Sequence, residues 1–485
     1  MLRGKDIFRK YDIRGVYGKT LNCNTAESAA KAFATQVISE TGEKHPTLSV
    51  GRDVRESSSD LFEAVCNGLT SSGVNVVDLG VCPSPLAYFS MYSEQTDGYI
   101  MITGSHNPPE FNGIKVGTKN TVYHSEKIEQ IYTDIIMKNF PKTDKKGFIR
   151  IADIKIDYIN YLNEHFKALK DQIKKLSYIP KIVIDAGSGT ASDIAPVIFK
   201  NLGVEVHELY CTPDGSFPGH HPDPTVESNM AEAKELLLKI GADFAVGFDG
   251  DADRLGALDN KGRMMWGDQL IGVFAHDIAQ HNQGRKIVAD VKASKGLYEH
   301  IEAIGMVPVM YLSGHSMIKE KMKQEKAVLG GEMSSHFFFA DRYFGFDDGI
   351  YASVRLLEAY VKMLTNGTIR CSADMTDIIP AYINTPEIRK KCQDEVKFQI
   401  IKELERKFIK YLRDNTYEIT DIISIDGLRI TFDSGWALIR ASNTEPLLVT
   451  RYEAVSKKDL HNIRQIVERE IKETKYDIQK KDQTG

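Results

Sequence analysis

The sequence predicts an α/β protein with three repeated mixed α/β domains and a smaller C-terminal α+β domain around a central cleft. Two observations predict this fold class. One order of apolar strands and helical segments occurs three times along the chain, and each occurrence is followed by a strand that ends in a polar loop. The chain of 485 residues is also too long for a single hydrophobic core, because such cores stop growing at about 250–300 residues. We expect domains at residues 1–150, 151–257, 258–368 and 369–485.

The repeated unit is an apolar strand, a helical segment, a glycine and a second apolar strand. The first copy spans 48–50, 61–65 and 73–78, the second 182–184, 194–199 and 203–206, and the third 287–289, 297–301 and 305–309. Short apolar runs separated by glycine are typical of buried parallel strands. The pattern predicts three βαβ units.

Each unit is followed by a further strand that ends in a polar loop. These strands are predicted at 99–102, 244–248 and 327–329. In parallel α/β sheets, ligands bind beyond the carboxyl ends of the strands. The three loops therefore occupy equivalent places in their domains, and we expect them to face a shared cleft.

The last part of the chain has a different pattern. Apolar residues recur at helical spacing from 396 to 408, and short strands are predicted at 428–432, 436–439 and 447–450. Ser456 and Asp459 have the spacing of a capping box at the start of a final helix. The polar tail after Tyr476 is expected to fray. This order predicts the smaller α+β domain.

Composition excludes several classes of protein. A formal net charge of −5 argues against broad nucleic-acid binding, which needs a basic surface. The six cysteines form no C-x-x-C pair, which argues against a zinc site or a disulfide framework. No segment has the apolar length of a membrane span or a secretion signal. We expect a cytoplasmic protein without nucleic-acid or membrane partners, and no feature indicates an obligate protein partner.

The loop after the first of these strands contains a candidate nucleophile. Thr103-Gly-Ser-His-Asn-Pro108 presents the hydroxyl of Ser105 in a loop bent by glycine and proline. A serine hydroxyl needs activation before it can act as a nucleophile. The alternative is that Ser105 only forms a turn.

The loop after the second strand contains three carboxylates at alternate positions, Asp249, Asp251 and Asp253. Their oxygens can converge on a hard divalent cation, but they are too few to complete its coordination. A position remains open for a phosphate oxygen. A solvated turn is the alternative, and the presence of the serine loop in the same chain argues against it.

Five segments resemble, in order, the signature motifs of the α-D-phosphohexomutase superfamily, and most closely its bacterial phosphomannomutase/phosphoglucomutase group. They are Tyr11–Gly15, Thr103–Pro108, Asp249–Arg254, Gly331–His336 and Arg440–Pro446. The resemblance covers nearly the whole chain. It implies an enzyme that interconverts hexose 1-phosphate and hexose 6-phosphate, of mannose, glucose or both, through a phosphoserine and a bound 1,6-bisphosphate.

The resemblance also implies how the phosphoryl group is handled. Ser105 carries the phosphate in the resting enzyme, and Mg²⁺ bridges this phosphate to Asp249, Asp251 and Asp253. A 1,6-bisphosphorylated hexose is the expected activator. The remaining candidate catalytic residues neutralise charge, assist proton transfer or shape the loop, and they are Arg14, His106, Lys115 and Arg254.

Further residues are expected to bind the substrate, which is a hexose phosphate. By resemblance, Glu332 and Ser334 bind the 3- and 4-hydroxyls of the sugar. Arg440, Ser442, Asn443 and Thr444 concentrate a guanidinium, two hydroxyls and an amide, which suits a phosphate that is held but not transferred. Arg451 adds to this set. The other candidate substrate-binding residues are Tyr11, Lys292 and His315.

Two positions depart from the family pattern. Ser335 stands where the mannose/glucose group has glycine, which affects the freedom of the loop backbone but not the contact residues. Ala252 stands where the family usually has glycine, and alanine is expected to exclude a left-handed backbone conformation there.

Three alternative functions are weighed against the mutase. A phosphoglucosamine mutase typically has Ser-Ala-Ser-His-Asn-Pro at the nucleophile and a different residue at position 333. A non-catalytic sugar-phosphate sensor would have lost Ser105, an aspartate or the phosphate-binding loop, and all are present. A phosphoserine phosphatase needs no site for a second phosphate. The sequence does not decide between mannose and glucose.

Overall fold

The computed structural model describes residues 5–119, 123–441 and 446–484. The chain forms two compact units, and each is continuous in space but not in sequence. The first unit comprises Met1–Asp277 and Ser334–Thr376, and the second comprises Ile278–Met333 and Asp377–Gly485. None of the helices in the described part of the chain combines the length and the apolar composition of a membrane span.

The N-terminal part of the first unit is a mixed sheet of six strands with four α-helices. The strands are β1 (Ile13–Val16), β2 (Thr47–Arg52), β3 (Asn75–Val81), β4 (Gly98–Ile102), β5 (Phe111–Thr118) and β6 (Ile149–Ile151), in the order β1-β5-β4-β2-β3-β6. The helices are α1 (Cys23–Thr41), α2 (Ser57–Ser71), α3 (Ser84–Ser93) and α4 (Glu126–Met137). Strand β4 is buried along its whole length, as a continuous apolar run requires. The first predicted βαβ unit is confirmed as β2, α2 and β3.

The next part of the first unit contains a five-stranded sheet in the order β11-β10-β9-β7-β8. Its strands are β7 (Lys181–Asp185), β8 (Glu205–Leu209), β9 (Phe244–Phe248), β10 (Leu255–Asp259) and β11 (Met264–Met265). The helices are α5 (Ile154–His165), α6 (Lys167–Ile173), α7 (Ala195–Leu202) and α8 (Ala231–Ile240). Parallel pairing of β7 with β8 and β9 confirms the second predicted βαβ unit.

The third predicted unit is confirmed by β12, α10 and β13. This part contains α9 (Gly267–Ala279), β12 (Lys286–Asp290), α10 (Lys295–Ala303), β13 (Val307–Tyr311), α11 (His315–Glu325), β14 (Leu329–Gly331), β15 (Phe337–Phe339) and α12 (Gly349–Thr365). Strand β12 is parallel to both β13 and β14. By their residue numbers, β15 and α12 belong to the first unit.

Strand β14 begins two residues later than predicted. The expected strand at 327–329 is instead Leu329–Gly331, which pairs with Ile287–Ala289. A Cβ atom on Gly330 would lie 2.4 Å from the sulfur of Met322 in α11. Side chains of α11 pack directly on the strand backbone at Gly330, so glycine stands there where an apolar run had been expected.

The C-terminal part of the second unit is an antiparallel sheet packed against two long helices. The elements are β16 (Ile383–Asn384), β17 (Ile388–Lys391), α13 (Asp394–Arg413), β18 (Ile419–Ile423), β19 (Leu428–Phe432), β20 (Gly435–Ala441), β21 (Leu447–Ala454) and α14 (Lys457–Thr484). The predicted capping box is confirmed, because Asp459 N donates to Ser456 Oγ at 3.1 Å. With this domain the predicted fold class is confirmed.

The expectation of a frayed tail after Tyr476 is wrong, because α14 continues to Thr484. Ile478 is buried in the same apolar cluster as Ile463, Val467 and Ile471. These side chains recur at helical spacing and bury one stripe of the helix, and this burial extends the helix through a polar sequence.

Asp348 joins α12, α5 and the loop between β15 and α12 in the first unit. Its side chain caps α12 by accepting from Tyr351 N at 2.8 Å. It also accepts from the hydroxyls of Tyr158 in α5, at 2.7 Å, and Tyr343, at 2.8 Å. Burial raises the pKa of Asp348 to about 7, although these three hydrogen bonds oppose the shift.

Replacing Asp348 with alanine is expected to destabilise the first unit by about 3–7 kcal/mol. Loss of a helix cap costs about 1 kcal/mol, and each buried hydroxyl left unsatisfied costs about 1–3 kcal/mol. The melting temperature of Asp348→Ala should fall well below that of Asp348→Asn, which keeps an acceptor oxygen.

The same carboxyl predicts a pH dependence. Its pKa in the folded state, about 7, lies above the value of about 3.9 expected in the unfolded chain. Its stabilising contribution is therefore complete at low pH and is lost as the pH rises through 7. Asparagine does not ionise, so Asp348→Asn should gain stability relative to the wild type as the pH rises from about 4 to about 7, and the gain should stay constant above about pH 8. A pH-independent difference in melting temperature would contradict this assignment.

Candidate functional site

The predicted nucleophile and the predicted metal loop come together in the first unit. Ser105 follows β4 and Asp249 follows β9, and both are buried. Ser105 Oγ donates a hydrogen bond of 2.7 Å to Asp249 Oδ2. The φ of Ser105 is 47°, a left-handed conformation that a non-glycine residue adopts when its surroundings enforce it. The two loops therefore form one site.

The three aspartates form a buried group that fits a divalent cation. One carboxylate oxygen each of Asp249, Asp251 and Asp253 lies within 4.8 Å of the others. Asp251 Oδ1 is buried without a hydrogen-bond partner. A buried carboxylate oxygen of this kind is costly unless a cation or donor satisfies it. The donor set is all oxygen, as hard cations prefer.

Lys115 on β5 supplies positive charge to this group. Its Nζ lies 2.6 Å from Asp251 Oδ2 and 2.6 Å from Asp253 Oδ2. Burial lowers the pKa of Lys115, but the two carboxylates outweigh burial and raise this pKa above its usual value. Ser84, which the sequence analysis missed, donates from Oγ to Asp251 Oδ2 at 2.5 Å. Lys115 and Ser84 together orient Asp251.

The carboxylates of the group have different electrostatic surroundings. Burial raises the pKa of Asp249 well above its usual value, and Asp253 and Asp251 add to the shift. Burial acts in the same direction on Asp253, but Lys115 and His336 outweigh it and lower the pKa of Asp253 well below its usual value. Lys115 and Arg254 bring two positive charges to three carboxylates, so the group retains capacity for a further cation.

Arg254 connects this group to the segment 334–336. Its backbone N donates to Asp249 Oδ1 at 3.2 Å, and its Nε lies 3.9 Å from Asp249 Oδ2. Its Nε also donates to His336 Nε2 at 3.3 Å. Ser334 Oγ lies 3.2 Å from His336 Nδ1. The structure thus places Ser334 near Arg254, with His336 as an intermediary that the sequence analysis did not single out.

Arg14 and His106 lie beside the serine loop. Arg14 Nη1 donates to Asn107 Oδ1 at 2.6 Å, and Nη2 to Asp12 Oδ2 at 2.5 Å. The positive charge of Arg254, followed by burial, lowers the pKa of His106 well below its usual value. Tyr11 is partly buried, and its ring centroid lies 5.3 Å from Lys10 Nζ. Arg14 therefore reaches the loop through the side chain next to His106.

The expectation that Ala252 excludes a left-handed backbone is wrong. Ala252 has a φ of 58° and Ser335 a φ of 66°, at the two positions where the family pattern has glycine. Each is held by its neighbours: Gly349 N donates to Ala252 O at 3.1 Å, and Leu255 N donates to Ser335 O at 3.0 Å. These main-chain bonds keep the left-handed turns without the help of glycine.

In the second unit, Glu332 and Lys292 lie at the carboxyl ends of β14 and β12. Glu332 Oε1 accepts from Gly314 N at 2.5 Å, next to His315 at the start of α11. Lys292 Nζ lies 3.6 Å from Asp290 Oδ2. Burial raises the pKa of Asp290, and Lys292 opposes the shift. The structure brings Glu332, Lys292 and His315 to one edge of the sheet.

The predicted phosphate-binding residues of the C-terminal domain are only partly within the described residues, since Ser442, Asn443 and Thr444 lie outside them. Arg440 Nη2 lies 2.7 Å from Asp426 Oδ2. Arg451 Nη1 donates to the carbonyl of Lys292 at 2.8 Å. Arg429, which the sequence analysis missed, donates to the carbonyls of residues 291 and 293. The structure therefore places Arg451 under the Lys292 loop.

Comparison with known proteins matches all four parts of the chain. The matching descriptions are phosphoglucomutase/phosphomannomutase alpha/beta/alpha domain I at residues 5–142, domain II at 157–262, domain III at 266–375, and the C-terminal domain at 387–470. The chain belongs to the phosphoglucomutase/phosphomannomutase family.

Individual members of the family are similar over almost their full length. The phosphomannomutase/phosphoglucomutase of Pseudomonas syringae pv. tomato is 38% identical, over 97% of this chain and 96% of the relative. The phosphoglucomutase of Neisseria gonorrhoeae is 38% identical, over 95% of each chain. A crystal structure of a family protein from Burkholderia thailandensis has 34% identity and a TM-score of 0.85, and the match covers 97% of this chain and 98% of that one.

Glycine at position 252 or 335 is expected to stabilise the protein. A left-handed conformation costs a non-glycine residue about 1–2 kcal/mol, and glycine removes this strain at an entropic cost of about 0.5–1 kcal/mol. Ala252→Gly and Ser335→Gly should therefore each raise stability by up to about 1 kcal/mol, measured as a higher melting temperature. Ala257→Gly is the control, because Ala257 is equally buried in the regular strand β10, and it should lower the melting temperature. A lower melting temperature for the first two variants would contradict the strain assignment.

Proposed function

We propose that this protein is a hexose phosphate mutase that interconverts hexose 1-phosphate and hexose 6-phosphate of mannose, glucose or both. The observation that carries the proposal is the 2.7 Å hydrogen bond from Ser105 Oγ to Asp249, because it joins the candidate nucleophile to the buried carboxylate group. The family membership supports the same reaction. The four-domain division at residues 1–150, 151–257, 258–368 and 369–485 is part of this proposal.

Ser105 is proposed to carry the transferred phosphoryl group. The bond between phosphorus and Ser105 Oγ breaks, a bond to the free hydroxyl oxygen of the hexose monophosphate forms, a base takes up the proton of that hydroxyl, and Oγ gains a proton. The product is a bound hexose 1,6-bisphosphate. After the sugar reverses its orientation, the other phosphoryl group returns to Oγ by the same exchange of bonds and protons. A free hexose 1,6-bisphosphate restores phospho-Ser105 if the intermediate escapes, which makes it the expected activator.

Asp249, Asp251 and Asp253, with the phosphate on Ser105, would hold Mg²⁺. The ion when bound compensates the charge of the phosphoryl group during transfer. Lys115, at 2.6 Å from two of the carboxylates, fixes their orientation and lowers the net charge of the group. Arg254, beside Asp249, is proposed to neutralise phosphoryl oxygens.

Arg14 and His106 are proposed to act beside the nucleophile. Arg14 holds the Asn107 side chain and so restrains the loop that carries Ser105. Its second amino group points to Asp12, which keeps the guanidinium in one orientation. His106 is proposed to shape the loop or to contact the phosphate.

The sugar and the phosphate that is not transferred are assigned to a second set of residues. Glu332 and Ser334 are proposed to bind the 3- and 4-hydroxyls, and the hydrogen bond from Gly314 N fixes one oxygen of Glu332. Arg440 is proposed to hold the phosphate, in exchange for its ion pair with Asp426. The other proposed contacts to substrate are Tyr11, Lys292, His315, Ser442, Asn443, Thr444 and Arg451.

An assay with three sugar phosphates tests the function. Mannose 1-phosphate and glucose 1-phosphate should be converted to their 6-phosphates in the presence of Mg²⁺ and a trace of 1,6-bisphosphate. Exclusive turnover of glucosamine 1-phosphate would favour a phosphoglucosamine mutase instead. Binding of all three without turnover would favour a non-catalytic sensor, and release of inorganic phosphate would favour a phosphatase.

Removal of the nucleophile is expected to abolish turnover. Ser105→Ala should lower kcat by at least about 10³-fold, because no other group replaces a covalent carrier. Peptide mapping of the wild type should locate phosphate on Ser105. Ser49→Ala is the matched control, since Ser49 is a buried serine in the neighbouring strand β2, and it should keep wild-type turnover. An active Ser105→Ala variant together with an unphosphorylated wild-type Ser105 would contradict the mechanism.

Arg440 is expected to bind substrate in both orientations of the sugar. Loss of a charge-assisted hydrogen bond worth about 1.5–3 kcal/mol should weaken the 1-phosphate and the 6-phosphate alike, by about 10- to 150-fold. The KM values of Arg440→Ala for both sugar phosphates measure the effect. The exposed Arg413 at the end of α13 serves as the control, because Arg413→Ala removes the same charge. Unchanged KM values for both sugar phosphates in Arg440→Ala would rule out the assignment.

A further inference from the structure

Arg55 lies beneath the loop that carries Ser105, in the turn between β2 and α2. Its guanidinium is fully buried in the first unit. Arg55 is 50 positions from Ser105 in sequence, and it donates a hydrogen bond to the carbonyl of Ser105. No signature motif contains it, and it has no role in the reaction described above.

Every N–H group of the guanidinium meets one acceptor. Nε donates to Asp53 Oδ2 at 3.0 Å. Nη1 donates to the carbonyls of Pro108 and Phe111, at 2.6 Å and 3.0 Å. Nη2 donates to the carbonyls of Ser105 and Asn107, at 2.7 Å and 2.6 Å. An arginine side chain has five N–H donors in a fixed planar arrangement, so the hydrogen-bonding capacity of Arg55 is fully used. Three of its five bonds hold the serine loop, and a fourth holds the first residue of β5.

The guanidinium also packs against the loop backbone and an aromatic ring. A Cβ atom on Gly104 would lie 2.5 Å from Arg55 Cζ, so the side chain lies directly against the loop backbone. Its Cζ also lies 5.1 Å from the centroid of the Phe217 ring. Asp53 Oδ2, which accepts from Arg55 Nε, also accepts from Gly104 N at 3.0 Å. Asp53 and Arg55 thus form one rigid support under the loop.

We propose that Arg55, held by Asp53, is a positioning residue that fixes Ser105 Oγ toward Asp249 and thereby sets the rate of phosphoryl transfer at Ser105. This inference rests on the proposed role of Ser105 as phosphate carrier. The left-handed φ of Ser105, 47°, persists only if its surroundings impose it. Arg55 imposes it by holding the carbonyl of Ser105 itself and that of Asn107. Without these bonds the loop relaxes, and Oγ moves away from Asp249.

Lysine does not reproduce this support. Its ammonium donates from a single atom, whereas the four carbonyls lie around the two ends of a planar fork. A neutral side chain of similar length removes a donor from each of the four carbonyls, although the carbonyl of Pro108 keeps its hydrogen bond from Phe111 N. We therefore expect phosphoryl transfer to be fastest in the wild type, slower in Arg55→Lys and slowest in Arg55→Met.

The experiment compares Arg55→Met and Arg55→Lys with a matched control, Arg355→Met. Arg355 is another fully buried arginine of the first unit, but its partners are the carboxylates of Asp341 and Asp277. The readouts are the rate at which glucose 1,6-bisphosphate phosphorylates Ser105, followed by intact mass, and the separate values of kcat and KM. Melting temperatures report the loss of stability, which both arginine deletions share.

Arg55→Met should lower the phosphorylation rate and kcat by about 100-fold with less than about a threefold change in KM, because a misplacement of about 1 Å has an effect of this size. Arg355→Met should lower the melting temperature while its phosphorylation rate stays within about twofold of the wild type. A folded Arg55→Met variant with a wild-type phosphorylation rate overturns the inference.

Asp53→Asn keeps the experiment decisive if Arg55→Met does not fold. Asparagine leaves an acceptor for Nε but removes the charge that holds the guanidinium, so phosphorylation should slow by about tenfold. Wild-type rates in both Asp53→Asn and Arg55→Lys would overturn the inference. Ser105→Ala separates it from the proposed function. Retained turnover in Ser105→Ala overturns both, whereas an inactive Ser105→Ala with normal phosphorylation of Arg55→Met overturns only the role of Arg55.

Discussion

Buried negative charge is the constraint on which the first unit depends. Asp249, Asp251 and Asp253 place carboxylate oxygens within 4.8 Å of one another, and such a group is stable only when cations and donors compensate it. Lys115 contacts two of the three carboxylates, and Arg254 lies beside the third. The strands β4, β5 and β9 must therefore deliver a serine, a lysine and the aspartates to one point. A hydroxyl that carries phosphate completes this arrangement only in the presence of a further cation, which links the electrostatics of the fold to the proposed reaction.

Buried arginines provide hydrogen-bond donors for carbonyl groups in the loops that follow the strands. A loop that leaves a sheet to reach a ligand gives up the partners of its carbonyls, and buried carbonyls need donors. In the first unit, Arg55 donates three hydrogen bonds to the serine loop and a fourth to the first residue of β5. In the second unit, Arg429 and Arg451 donate hydrogen bonds to the carbonyls of residues 291, 292 and 293. In the first unit a side chain from outside the signature motif thus holds the motif in place, and in the second unit two arginines hold the segment that contains Lys292.

Local pattern predicted most of the elements. The three βαβ units, the strands before the loops and the capping box at Ser456 follow from periodicity and from the chemistry of single residues, which act over a few positions. The pattern failed where pairing or packing decides the conformation. The short, partly exposed strands β16, β17 and β18 form because they pair with β21 and β19. The tail of α14 stays helical because Ile478 reaches the core.

The sequence by itself determined the fold class, the order of the motifs and the candidate residues Ser105, Asp249, Asp251 and Asp253, because side-chain chemistry and strand periodicity are written in the residues themselves. Only the tertiary structure decided how these residues are held. The left-handed turn at Ala252 depends on main-chain bonds from distant segments, and the support beneath Ser105 acts on carbonyl groups. Carbonyls are the same in every residue, so no sequence pattern marks the ones that a distant side chain will reach.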